Sequence, residues 1–108
     1  MNTSLRLLAL TCAAAALGLG PSPALADGKI RCGGGPREQW KPLADLKKQV
    51  WKAGWELIKA HPEKDCYEVY ARTGEGQSVE AFFHPVTLEK LVVYRRGREI
   101  YRKPGFGG

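Results

Sequence analysis

Histidine and cysteine are scarce in this chain of 108 residues, with two of the first and three of the second. No C-x-x-C pair occurs, and His61 and His84 lie far apart, so no zinc-type ligand set or redox dithiol is written in the spacing. No glycine loop of the phosphate-cradling kind and no paired-acid motif is present. Ser78 has no histidine near it in sequence, which leaves nucleophilic catalysis without its base. These absences read as a protein that is not an enzyme and that holds no cofactor. No internal repeat is visible. Long apolar runs are missing as well: the longest, Leu7 to Leu17, falls short of the roughly 20 residues that cross a bilayer.

That apolar run has another use. Arg6 gives a short positive start, Gly18, Gly20, Pro21 and Pro23 break the helix, and Ala24-Leu25-Ala26 puts small residues at the two positions a signal peptidase reads. Met1 to Ala26 is therefore expected to be a secretory signal peptide, cleaved before Asp27. Cys12 is not a lipidation site by this reading, because Thr11 precedes it and it lies inside the apolar run. No transmembrane anchor is expected after cleavage, and the protein should be periplasmic or secreted.

Cleavage removes Cys12 and leaves Cys32 and Cys66, an even pair in a compartment where disulfides persist. The remaining 82 residues make one small domain, close to the size at which a covalent staple matters. Joining Cys32 to Cys66 restricts the unfolded chain by about 4 kcal/mol in the loop-entropy model. A metal pair or a redox pair would need company that the sequence does not supply.

Of the charged residues only Arg6 leaves with the signal, so 16 Lys and Arg face 11 Asp and Glu, a net charge of +5. Such a balance attracts acidic partners. Nucleic acid is a poor candidate, since no recognition motif accompanies the charge. The densest basic stretch, Arg95-Arg96-Gly97-Arg98 with Arg102 and Lys103, suits weak attraction to an anionic surface or serves as a solvated strand end.

Residues 27–39, with Gly33-Gly34-Gly35-Pro36, read as a flexible lead-in to a domain at 40–103, with a loose tail at 104–108. Pro42 suits a first helical residue, and Leu43, Leu46 and Val50 recur on one helical face. Gly54, after a lysine-rich turn, is the stop signal. Trp55 to Ala60 is then a first strand, ended by His61-Pro62 and the turn Glu63-Lys64-Asp65. Cys66 to Arg72 and Ser78 to Phe83 alternate as strands around the loop Thr73 to Gln77. Leu91 to Arg95 completes the meander, and Ile100-Tyr101 adds a short edge pairing at most. The fold class is α+β, one helix packed on three or four antiparallel strands.

Period two puts Val69, Ala71, Val79, Ala81 and Phe83 on one face, the better core. Glu68, Tyr70, Arg72, Glu80, Phe82 and His84 fall on the other, which is expected to face water. Tyr70, Phe82 and His84 are thus the candidate partner-binding surface. A small-ligand or metal-binding alternative would use His61 and His84 with Glu68 or Glu80.

The stretch from Cys32 through Trp40, Ala53-Gly54-Trp55, Cys66 to Ala71, Val79 to Phe83 and His84-Pro85-Val86-Thr87 resembles the short periplasmic proteins of the PepSY superfamily. Members carry a helix followed by an antiparallel meander, and an Asp-Pro-x-Thr-Gly turn, where this chain has His84 and Leu88 in place of the Asp and the Gly. The resemblance implies an exported module that binds a protein partner, such as an exported peptidase that it modulates or inhibits. It implies no catalytic residues. Strand addition at an exposed sheet edge is a physical route to such binding.

Overall fold

The computed structural model describes residues 29–108. The expected signal peptide, Met1 to Ala26, and its cleavage point lie outside them. After a 3-10 turn at Arg37–Gln39 come one helix, α1 (Leu43–Lys52), and five strands: β1 (Glu56–Glu63), β2 (Cys66–Arg72), β3 (Ser78–Phe83), β4 (Lys90–Arg95) and β5 (Arg98–Arg102). The strands form a single antiparallel meander in chain order. The α+β class stands as expected, with five strands instead of three or four.

The fifth strand forms because Arg96 and Gly97 both take left-handed backbone, at φ of 53° and 78°, between the paired residues Arg95 and Arg98. Two left-handed residues in a two-residue loop match the right-handed twist of the flanking strands. Arg-Gly is a less favoured pair than Asn-Gly for this turn, so Gly97 alone reads as loose chain.

Helix α1 ends as its sequence dictates. Gly54 sits at φ 87°, Gly54 N donates to Trp51 O at 2.9 Å, and Trp55 N donates to Val50 O at 3.2 Å. This pair of bonds satisfies carbonyls at the helix end and turns the chain into β1. Strand β1 runs three residues beyond the expected end at Ala60, and Pro62 pairs in register with Tyr67. A proline is tolerated there because β1 is an edge strand, whose outer N–H positions have no ladder partner to lose.

The helix-side core is the expected one. Leu46 and Val50 of α1 pack on Val69, Ala71, Val79, Ala81, Phe83 and Val93, with Trp40, Leu43, Trp55 and Leu57 around them. Tyr67 joins this face, donating its hydroxyl to Lys41 O at 2.6 Å and meeting the Trp40 ring edge-to-face at 5.1 Å.

The opposite face overturns an expectation. Phe82 has no exposure at all and Glu68 only 1%. A second core of Ile30, Cys32, Cys66, Phe82, Leu91 and Val92 closes this side, with Tyr94 and Phe106 packed against it. The segment read as a flexible lead-in is a strap: Cys32 is bonded to Cys66, and Asp65 accepts from Cys32 N at 3.0 Å and Gly33 N at 2.7 Å. Gly34 is buried where a Cβ would lie 2.5 Å from Pro85 Cγ and 2.6 Å from Asp65 O, so only glycine lets the strap lie this close. The tail read as loose also folds back, since Phe106 O accepts from Arg102 Nη1 at 3.0 Å.

Burial alone would raise the Asp65 carboxyl. The N–H donors of Cys32, Gly33 and Asp65 itself, with the charge of Arg31, outweigh it and hold the group below the usual 3.8. An ionised Asp65 thus pins the strap next to the disulfide.

Candidate protein-binding site

Helix α1 packs against β1, at one side of the sheet. Toward β4 and β5 the helix-side face opens into a groove of about 260 Å³ that includes Trp55, Val79, Lys90, Val93, Ile100 and Tyr101 in its wall. A smaller hollow of about 140 Å³ continues it along the helix, sharing Trp55 and Lys90. Lys90 Nζ lies 4.5 Å from the Tyr101 ring centre and 5.5 Å from that of Trp55, so one ammonium joins two aromatic faces. Ile100 and Tyr101 are 51% and 37% exposed on the edge strand. An edge strand presents backbone N–H and C=O groups without a neighbouring strand, and here a groove of mixed lining lies beside it, aromatic at Trp55 and Tyr101 and polar at Thr73, Glu75 and Gln77.

The ends of β5 are charged. Arg102 makes a forked pair with Glu99, through Nε to Oε2 at 2.9 Å and Nη2 to Oε1 at 2.8 Å, and Lys103 Nζ lies 4.0 Å from Glu89. Arg95, Arg96 and Arg98 surround the hairpin tip beside Ile100. The basic stretch therefore divides into a braced half and an outward-facing half. The Tyr94 hydroxyl, above its usual value through burial first and Glu99 second, is opposed by Arg102.

The three contact residues chosen from sequence part company. Phe82 is sealed in the strap-side core, where it meets Tyr94 edge-to-face at 6.2 Å, and presents no surface. His84 is half-buried and its Nδ1 accepts from Val86 N at 3.1 Å and Thr87 N at 3.3 Å. It does what an Asp side chain does at the head of such a turn. Leu88 stands in the left-handed region at φ 65°, where a glycine would sit without strain, and its side chain is buried in the helix-side core. The turn is closed by Leu88 N donating to His84 O at 2.7 Å. Tyr70 remains near the surface beside β1, donating to Glu80 Oε2 at 3.4 Å and lying 5.6 Å from Lys59 Nζ.

The metal alternative is regrouped as well. His61 Nε2 lies 3.1 Å from Glu68 Oε1 and 3.9 Å from Glu63 Oε1. His84 and Glu80 are engaged elsewhere, in the turn and with Tyr70. Sequence reasoning missed Glu63 because Pro62 and the charges after it look like a turn. It also missed Trp55, Lys90, Ile100 and Tyr101 as one site, although an exposed Ile-Tyr pair between arginines was the available signal.

Among the described residues, no helix is long and apolar enough to cross a membrane. Residues 9–93 match the PepSY family described as the peptidase propeptide and YPEB domain. The match ends within β4, so β5 and the tail lie beyond it. No curated protein and no solved structure is significantly similar to the chain.

Proposed function

Because the chain belongs to the peptidase propeptide and YPEB domain family, we propose that it is an exported, non-catalytic binding module that docks on a peptidase of the envelope or the extracellular space and restrains it. The observation that carries this reading is the exposed edge strand β5 with the Trp55, Lys90 and Tyr101 groove beside it. An extended segment of the peptidase adds as a strand to β5, its backbone supplying affinity and its alternate side chains entering the groove. Arg95, Arg96 and Arg98 at the hairpin tip favour an acidic segment. The disulfide fits the oxidising compartment that export implies. Tyr70 and His84, both partly exposed, stay as secondary contact candidates of the sequence-derived set, while Phe82 leaves it.

The test uses the disulfide-bonded chain as bait in envelope extract. The expected result is capture of a peptidase whose activity falls when the chain is added. Ile100→Lys, which leaves both cores untouched, should weaken capture at least ~10-fold, as the loss of an apolar anchor at an interface does. Capture of no peptidase, or capture without any effect on its activity, contradicts the proposal.

A further inference from the structure

Among the described residues Glu68 is the one buried charged side chain, with 1% exposure, and it comes from β2. Its Oε1 meets His61 Nε2 at 3.1 Å, while its Oε2, also buried, has no hydrogen-bond partner. A carboxylate removed from water without full pairing is costly, and a positive charge placed beside it relieves that cost. The strand geometry supplies the rest of a cup. His61 and Glu63 are two apart on β1 and so share a face, and His61 pairs directly with Glu68 across the ladder. One ligand atom from each of the three lies within 4.8 Å of the others, with His61 and Glu63 about one-third exposed and Glu68 at the base.

We propose that His61, Glu63 and Glu68 form a binding site for a divalent transition ion of the zinc class. Zinc bonds of about 2.0–2.2 Å to imidazole nitrogen and carboxylate oxygen put tetrahedral ligand atoms roughly 3.3 Å apart. The observed 3.1 Å and 3.9 Å separations need only side-chain adjustment to reach that spacing. One imidazole with two carboxylates is a borderline donor set, which suits zinc better than calcium, whose sites take six to eight oxygens. Solvent fills the fourth position from the open side. The ion takes the place of the contact between Nε2 and Oε1, and the Glu68 carboxylate meets it with either oxygen, Oε2 being otherwise without a partner. Because the site spans the β1–β2 hairpin, its occupancy ties the β1 edge to the centre of the sheet.

The experiment is calorimetric titration of the untagged, disulfide-bonded chain with zinc chloride, repeated with calcium chloride. The expected result is one zinc ion per chain, a rise in melting temperature with zinc, and a far weaker response to calcium. His61→Ala and Glu63→Gln should each weaken zinc binding at least ~10-fold, since even the outer partners of metal ligands commonly cost that much. His61→Ala leaves Glu68 buried without its neighbour and so lowers stability, whereas Glu63→Gln, at the open rim, keeps the test independent of folding. Absence of zinc heat, or one-to-one binding that both variants leave unchanged, overturns the assignment.

Discussion

The two faces of the sheet are closed in different ways. On the helix side, Leu46 and Val50 of α1 cover residues that alternate regularly along β2 and β3. On the other side, Phe82 and Val92 are covered by Ile30 and Cys32, from a segment without regular secondary structure, and by Phe106 from the tail. Periodic burial needs only that a helix and strands form, and each contact follows from the next. The strap has no such local drive, since glycines at 33 to 35 give it no preferred shape. It is held by the Cys32–Cys66 bond and by Asp65. One face is a core by pattern and the other is a core by tether.

The sharpest way to break that comparison is to remove the tether. Phe82→Ala should cost about 3–5 kcal/mol and Leu46→Ala about 2–5 kcal/mol when each is made in the disulfide-bonded chain. Replacing both Cys32 and Cys66 by Ala should itself cost about 2–5 kcal/mol. In that background the Phe82→Ala penalty should shrink by more than ~1 kcal/mol, while the Leu46→Ala penalty should be unchanged within ~0.5 kcal/mol. Urea unfolding of the six proteins measures all of these terms. Equal penalties for Phe82→Ala in both backgrounds would mean that the strap stays docked without its bond.

A smaller effect belongs to Asp65. Its carboxyl is lowered in the fold, so its contribution is fully present above the unfolded value near 3.8 and is lost as pH falls through the lower folded value. Asp65→Asn should cost about 1 kcal/mol at neutral pH, through weaker acceptance from Cys32 and Gly33. The difference from the parent should shrink as pH falls below the unfolded value, which denaturant titrations at pH 7 and in acid would show.

The helix side was legible because its residues state their own geometry. Leu43, Leu46 and Val50 give the period, Gly54 gives the stop, and Cys66 to Arg72 and Ser78 to Phe83 give strands that the structure reproduces to the residue. The assignment of Phe82 to the face away from α1 was also correct, and only its exposure was not. What covers it comes from the strap, about 50 positions earlier in the chain, and from Phe106 in the tail, and neither carries a repeating pattern, so no local reading could bring them together. The β1–β2 hairpin hid its charged cluster for a different reason. Pro62 marks a break in most strands, and only its place on an edge lets Glu63 continue the pairing.

The smallest expected effect concerns the turn after β3. His84→Ala removes the acceptor for two partly solvated N–H groups and should cost about 0.5–1 kcal/mol, whereas His84→Asp should restore most of it. Thermal melts of the two variants would distinguish an acceptor role for His84 from mere space filling.

The central functional claim is that the open groove and edge at β5, rather than the tethered face, meets the partner. Hydrogen exchange on the chain alone and in complex with the peptidase it captures tests this most directly. The account predicts new protection over Arg98–Arg102 and around Trp55 and Lys90. Protection confined to the strap and the β1 edge, with β5 exchanging as in the free chain, would contradict it.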